Sequence, residues 1–593
     1  MNNDVQFPYQ DPALPLGQRI GDLLERMTLE DKAGLLFHSM VRSGQGGRLA
    51  GDDPDHGLPS LATLVRDRRM NHFNLLGAAP SARELAQWHN AAQRLAAETE
   101  LGIPITFSTD PRHAFTDNPG TAMMSGPFSQ WPETLGLAAI GDPELVRRFA
   151  DIARQEYIAV GLRVALHPQI DLSTEPRWAR IAGTFGEDAE LTGALAAAYI
   201  GGFQGERLCG DSVSTMIKHF PGGGPQLDGE DPHFAYGREQ VYPSGNFDYH
   251  LRPFRDALAA GGSQVMPYYG MPVGTSHPEV GFAFNKSIIT GILRTELSFD
   301  GIVCTDWGLL TDAEIMGQPM PARAWGVEEL SRPERALMIM KAGVDQFGGE
   351  ACPEVIIDLV RSGELGEDRI DISVRRLLLE KYRLGLFDDR RYVDADAADS
   401  VVGRDDFRAS GEDAQRRSLT LLTNREIDSA PLLPLKPGHN LYLEGVDRRL
   451  AAGYGTPVED PADADLAVIR LAAPYEPRSG GFESFFHAGS LAFDDHERDR
   501  IVQLCATVPT IVIIHLDRPA VITEIVDAAA AVIAEYGASD AAVLDVITGA
   551  ARPKGRLPFD LPRSMAAVEA SAADAPFATE DPVFRFGHGL RYG

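Results

Sequence analysis

Apolar runs of strand length alternate with amphipathic helical segments through the first two thirds of the chain, and no other feature narrows the possible folds as far. Ile103 to Ser108, Val164 to Leu166, Val213 to Ile217, Gln264 to Met266, Ile302 to Thr305 and Val344 to Phe347 read as strands. Segments such as Pro143 to Val160, Lys286 to Leu297 and Pro333 to Lys341 read as the helices between them. Alternating βα units imply a parallel sheet, and this many within about 390 residues imply a (β/α)8-type barrel rather than an open sheet. Helices are expected to open the fold: Ile20, Leu23, Leu24 and Met27 recur at helical spacing in the stretch from Ile20 to Met40, and Thr28-Leu-Glu-Asp31 resembles a capping box.

At 593 residues the chain exceeds the size at which one core normally divides. The helix Ile372 to Leu386 is expected to close a barrel-like domain spanning 1–388, and the acidic, Ala-rich stretch 389–412 reads as a linker. Beyond it, strand runs at Leu441 to Leu443, Leu466 to Leu471, Thr510 to Leu516 and Ala531 to Tyr536 alternate with helices, which predicts a smaller α/β sandwich domain over 413–593.

Charge narrows the partners. With 85 acidic against 55 basic residues the formal charge is −30, which repels phosphate backbones and anionic membranes and disfavours nucleic acid. No run approaches the roughly 20 apolar residues of a membrane span. The start, Met-Asn-Asn-Asp-Val-Gln-Phe-Pro-Tyr, has neither a basic segment nor an apolar core, so a cytoplasmic location is expected. Cys209, Cys304, Cys352 and Cys505 are scattered without metal or redox spacing and read as small hydrophobes. The reading requires no cofactor and no metal, and it admits a homo-oligomer.

Chemistry is expected at the carboxyl ends of the barrel strands. Thr305-Asp306-Trp307 follows the apolar run Gly301 to Cys304 directly, Asp110 follows the strand at 103, Arg177 and Arg180 follow the strand at 164, Lys218 and His219 follow the strand at 213, and Tyr268 and Tyr269 follow the strand at 264. Taken singly each has a structural explanation: a strand-end Asp caps a helix, a Lys-His pair is a buried ion pair, and Trp178 or Trp307 is core. Together they place carboxylates, cations and rings at one mouth. That mixture suits a polyhydroxylated ligand, whose hydroxyls need fixed donors and acceptors and whose C–H faces stack on aromatic rings.

Over essentially its whole length the chain resembles glycoside hydrolase family 3, the β-glucosidase type. The resemblance is carried, in the family's order, by Met27-Thr-Leu-Glu-Asp-Lys32, Gly102-Ile-Pro-Ile105, Pro176-Arg-Trp178, Gly186-Glu-Asp188 and Lys218-His-Phe220. It continues through Phe299-Asp-Gly301, Thr305-Asp-Trp307, Lys341-Ala-Gly-Val-Asp345, Tyr382-Arg-Leu-Gly-Leu-Phe387, Gly555-Arg-Leu-Pro558 and Phe586-Gly-His-Gly-Leu590. It implies a barrel joined to an α/β sandwich, with a sugar bound between them and a retaining mechanism. The family's Ser-Asp-Trp nucleophile segment falls on Asp306, with Thr305 in place of Ser. Its sugar-binding residues fall on Asp110, Arg180, Lys218, His219 and Tyr269, with Trp307 beside the nucleophile.

The acid/base departs from the family's pattern. The loop expected to supply it runs from Tyr475 to Leu491 without the usual Glu-Gly-x-Asp-Arg, and Glu483 is preferred on spacing, with Glu476 as second choice. Phe482, Phe485 and Phe486 give this loop an unusually apolar character. The family's β-N-acetylglucosaminidases carry a catalytic histidine where Gly223 stands here, and the glycine run Gly222 to Gly224 lacks the Lys-Ser or Lys-Thr of a phosphate loop. Glu230, Asp231 and His233, which follow that run, receive no role from the sequence.

The expected activity is exo-acting release of β-D-glucose from β-glucosides or short β-glucans, with an aryl or alkyl β-glucoside or a small carbohydrate as partner. Three alternatives stand beside it: a β-xylosidase or arabinosidase of the same family, a barrel lyase using Lys218 as a Schiff-base lysine, and a non-catalytic sugar-binding protein.

Overall fold

The structure is a computed structural model that describes residues 7–52, 59–78, 81–116, 123–427 and 429–592. The first six residues, part of the segment read above for a targeting signal, lie outside the described residues. Eight parallel strands close into a barrel in chain order: β1 (Phe37–Arg42), β2 (His72–Leu76), β3 (Thr106–Thr109), β4 (Leu162–Ala165), β5 (Ser214–Phe220), β6 (Gln264–Pro267), β7 (Ile302–Trp307) and β8 (Gln346–Gly348). Strand β1 pairs with both β2 and β8, which closes the sheet. Helices such as Ala82–Ala97, Pro143–Ala159, Ala189–Gln204 and Phe247–Ala259 pack around the barrel.

Two strands were not legible in the sequence. The helical spacing from Ile20 to Met40 belongs to two helices, Leu16–Arg26 and Leu29–Leu35, and the run from Phe37 onward is β1 instead. The expected capping box is present: Thr28 accepts from Asp31 N, and the Asp31 carboxylate accepts from Thr28 N. A continuous apolar run fits a helix end or a buried strand equally well, and pairing with β2 and β8 decides for the strand.

The barrel interior is filled by Val164, Leu166, Met216, Met266 and Cys304, with Trp307 capping them. At the opposite end the helix Glu367–Arg383 seals the barrel, and its buried Lys381 Nζ donates to Asn71 O, Pro104 O and Thr106 Oγ1.

Residues 389–412, expected as a linker, carry the short helix Ala398–Val401 and the first half of the helix Asp405–Ser418. The second domain is built on a six-stranded sheet of β9 (Thr420–Asn424), β10 (Asn440–Glu444), β11 (Thr456–Val458), β12 (Leu466–Ala472), β13 (Thr510–His515) and β14 (Ala531–Glu535), ordered β9-β14-β13-β12-β10-β11. All its neighbours are parallel except β9 and β14. Among the described residues no helix is long and apolar enough to cross a membrane.

The domains are bonded to each other. Gly186 has φ +94°, and a Cβ there would sit 2.2 Å from Pro558 O, so glycine lets the Gly186-Glu-Asp188 turn lie against Gly555-Arg-Leu-Pro558. The adjacent Glu187 carboxyl accepts from Asp560 N at 2.6 Å and Phe577 N at 2.8 Å. Nearby, Glu133 N of the barrel domain donates to Tyr536 O at 2.7 Å.

A titratable cluster sits at this junction. His515 Nδ1 lies 3.1 Å from Glu535 Oε1, and burial, which alone would lower His515, is outweighed by Glu535, Asp517 and Glu133, raising it to about 9. Because the folded value exceeds the unfolded one near 6.5, this stability is fully present below about pH 6.5 and is lost as pH rises through 9. Glu133, which burial pushes up to about 8, has the same sign. The Tm is therefore expected to fall by on the order of 5 °C between pH 6.5 and 9 beyond what His515→Gln shows over the same range, measured by calorimetry.

Candidate active site

The expected strand-end residues converge at one mouth, and irregularities in the strands aim them. Cys304 pairs with Gln346 but Trp307 with Gly348, so β7 carries one residue more than β8 around Asp306. Similarly, β5 pairs at Lys218 with Met266 and at Phe220 with Pro267, leaving His219 as an extra residue. Adjacent residues of a regular strand face opposite ways, and such bulges redirect side chains. Here the bulge gives Lys218 and His219 partners at the same barrel mouth. Thr305 Oγ1 accepts from Gly348 N at 2.8 Å, which ties β7 to β8 and shows what the hydroxyl does where the family has Ser.

Asp306 is buried. Its Oδ1 accepts from Trp307 N at 2.8 Å, and the same N–H lies 2.9 Å from Tyr269 Oη. Its Oδ2 makes no hydrogen bond among the described residues and lies 3.7 Å from His219 Nε2. One oxygen is pinned by the backbone, while the other is buried beside His219 without a hydrogen-bond partner among the described residues.

His219 is held from behind by Asp171, whose carboxylate accepts from His219 Nδ1 at 2.7 Å, His219 N at 3.0 Å and Gly223 N at 2.5 Å. Burial and Arg180 hold the imidazole well below its ordinary value, so it is neutral at pH 7, with Nδ1–H donating to Asp171 and Nε2 turned toward Asp306. Burial pushes Asp171 itself up to about 6, against the backbone N–H groups of His219 and Gly223. A Cβ on Gly223 would meet Asp171 Oδ1 at 3.0 Å, which accounts for glycine at this position.

Lys218 Nζ pairs with Asp110 Oδ1 at 3.0 Å, and Asp110 Oδ2 also accepts from Asn74 Nδ2 at 3.4 Å. Arg180 is buried, and its Nε and Nη1 form no hydrogen bond among the described residues. Burial alone would disfavour its charge, but Tyr268, Asp231 and Asp306 outweigh that and raise it. A buried guanidinium with bare N–H groups beside a carboxylate is built to receive a ligand oxygen.

Behind the mouth Asp231 is a hub. It accepts from Trp178 Nε1 at 2.9 Å, Tyr268 Oη at 3.0 Å, His233 N at 2.9 Å and His233 Nδ1 at 2.6 Å. Burial would raise its carboxyl, but His233 and Arg180 hold it below the usual carboxylate range. Trp178 and Tyr268 are therefore supporting core, and Arg177 is engaged with Glu175 at 2.8 Å. Trp307 is half-buried, its ring 5.5 Å from His38, and it lies so close over Gly348 and Gly349 that a Cβ on either would approach it within 2.7 Å.

A chain of rings links this floor to the second domain. His233 lies 4.6 Å from Tyr269 on one side, and 5.1 Å from Phe486 and 5.8 Å from Phe482 on the other. The apolar loop residues singled out in the sequence thus seat the second-domain loop on the barrel mouth, and they flank Glu483. The Glu483 carboxylate accepts from Tyr236 Oη and lies 4.0 Å from Arg478, which pairs at 2.7 Å with Glu230. Glu476 is exposed on the stem of the loop, where its backbone bridges to Ala488. Asp171, Tyr236 and Arg478 carried no sequence signal. Glu230, Asp231 and His233 were visible only as a polar cluster after the glycine run.

Comparison with known proteins agrees with this architecture. Residues 72–379 match the glycosyl hydrolase family 3 N terminal domain, and residues 435–592 match the glycosyl hydrolase family 3 C-terminal domain. The chain is 56% identical over 597 residues to beta-glucosidase C of Emericella nidulans, covering 100% of this chain and 95% of that protein. It is 41% identical over 612 residues to a periplasmic beta-glucosidase/beta-xylosidase of Dickeya chrysanthemi, covering 100% and 92%. The fold is shared with a β-glucosidase structure from Erythrobacter marinus at a TM-score of 0.78 and 21% identity, over 98% of this chain and 84% of that one. A barrel and α/β sheet with this mouth, matched by both family domains and by relatives along the whole chain, make the protein a member of glycoside hydrolase family 3.

Proposed function

We propose that the protein is a retaining, exo-acting β-glucosidase in which Asp306 is the nucleophile and Glu483 the acid/base. The observation that carries this reading is the state of Asp306: one oxygen pinned by Trp307 N, the other bare, facing His219 Nε2 beneath the loop that bears Glu483. In the first step the Asp306 carboxylate attacks the anomeric carbon while Glu483 gives its proton to the departing glycosidic oxygen. The C1–O bond to the aglycone breaks and a covalent glycosyl ester forms. In the second step Glu483 withdraws a proton from water, which attacks C1 and releases β-glucose with its configuration retained.

The remaining side chains hold the sugar. The paired Lys218 and Asp110 offer a donor and an acceptor to adjacent hydroxyls, while His219 Nε2 accepts and the bare N–H groups of Arg180 donate. A mouth floored by the packed barrel interior and lined by charged groups suits a non-reducing terminal sugar. The names of the relatives favour glucose as that sugar, and family membership displaces the reading of Lys218 as a Schiff-base lysine.

The test is a set of 4-nitrophenyl glycosides differing only in the sugar. The β-D-glucoside is expected to exceed the β-D-xyloside in kcat/KM by about 10- to 200-fold, the range that one methylene-sized group supplies. A xyloside or arabinoside turned over faster than the glucoside would reassign the sugar.

A further inference from the structure

We propose that Asp517 and Arg518 are positioning residues that brace the loop bearing Glu483, so that removing them impairs proton donation to the leaving group selectively. The inference rests on the assignment of Glu483 just made. Both residues lie just past the end of β13. Arg518 is fully buried, yet no carboxylate accepts from its guanidinium among the described hydrogen bonds. Its Nη2 donates to Pro474 O at 2.7 Å, Ser490 O at 2.9 Å and Ala488 O at 3.1 Å, and its Nη1 to Arg177 O at 3.0 Å and Gly489 O at 3.1 Å.

Those carbonyls have a common meaning. Pro474 is the incoming foot of the loop, Ala488 to Ser490 the outgoing foot, and Arg177 belongs to the barrel turn that leads to Arg180. A single planar cation therefore holds both feet together and fixes them to the barrel domain. Asp517 adds a second brace: its Oδ2 lies 2.5 Å from His487 Nδ1, and the His487 ring stacks on Tyr475 with centroids 3.8 Å apart. Glu483 sits at the tip, where Phe482 and Phe486 touch His233. With both feet clamped and the tip seated, the Glu483 carboxyl has one approach to the glycosidic oxygen. Lysine at position 518 keeps the charge but has a point-like donor that cannot span the same carbonyls.

A structural arginine and a positioning arginine are told apart by the leaving group. Donation by Glu483 matters for a poor leaving group and little for a good one, which departs without a proton. The kcat/KM of the full chain is measured for phenyl and 2,4-dinitrophenyl β-D-glucosides in the parent, R518K, H487Q and E483A. For R518K we expect a loss of about 10-fold or more on the phenyl substrate and less than about 3-fold on the dinitrophenyl one. H487Q, on the less buried brace, shows the same selectivity with a smaller loss, and it carries the test should R518K not fold. Equal losses on both substrates, or none, in R518K and H487Q overturn the proposal while a selective E483A leaves the acid/base standing. An E483A without leaving-group selectivity removes the acid/base assignment and the brace with it.

Discussion

Asp306→Ala lowers kcat/KM for an aryl β-D-glucoside by roughly 10,000-fold or more, with the Tm within about 2 °C of the parent or slightly above it. The size of the loss follows from the chemistry. Without this carboxylate no glycosyl ester forms, and neither Asp110, paired with Lys218, nor Asp171, behind His219, has an oxygen free to replace it. The mild effect on stability follows from the geometry. Oδ2 of Asp306 has no partner to lose, and Trp307 N retains Tyr269 Oη at 2.9 Å when the carboxylate is gone. A buried charge with an unsatisfied oxygen is a destabilising feature retained for function. Residual activity above about 1% of the parent is incompatible with this role.

Glu483→Ala has the second largest effect, a loss of about 100- to 10,000-fold on phenyl β-D-glucoside. On 2,4-dinitrophenyl β-D-glucoside the first step survives, the glycosyl ester accumulates, and added azide restores turnover by attacking C1 without needing a base. The product is then β-glucosyl azide, which chromatography identifies. Glu476→Ala is the matched control: its side chain is exposed on the loop stem, and its loss stays within about 3-fold on both substrates, the size expected of a solvated charge. The opposite pattern, with azide rescue confined to Glu476→Ala, assigns the acid/base to Glu476.

What was legible in the sequence was local. Strand periodicity revealed six of the eight barrel strands, and the position of Asp306 after an apolar run marked the carboxylate end of β7. Strand β1 was hidden because Leu35-Leu36-Phe37 is apolar on every side, and periodicity cannot separate a helix end from a buried strand in such a run. Lys218 and His219 are both legible as site residues from their place after the strand at 213. Only the structure shows how neighbours on one strand reach the same mouth, since a bulge depends on the register of β6.

The supporting residues were less visible for a different reason. Asp171 and Asp231 act through contacts with residues tens of positions away in the chain, and nothing in their immediate surroundings distinguishes them from turn carboxylates. The loop phenylalanines did carry a signal, because apolar side chains on a surface loop need something to cover them. Their cover is His233 and Phe234 of the barrel domain, which adds a cluster of rings to the contacts between the two domains.

The most direct test of the account traps the covalent intermediate. Incubation with 2-deoxy-2-fluoro-β-D-glucosyl fluoride, whose fluorine slows both steps while the fluoride leaving group allows the first, is followed by proteolysis and mass spectrometry. The account predicts a fluoroglucosyl ester on the peptide containing Thr305-Asp306-Trp307, and none in Asp306→Ala. A label on any other carboxylate, or turnover with inversion and no label, contradicts it.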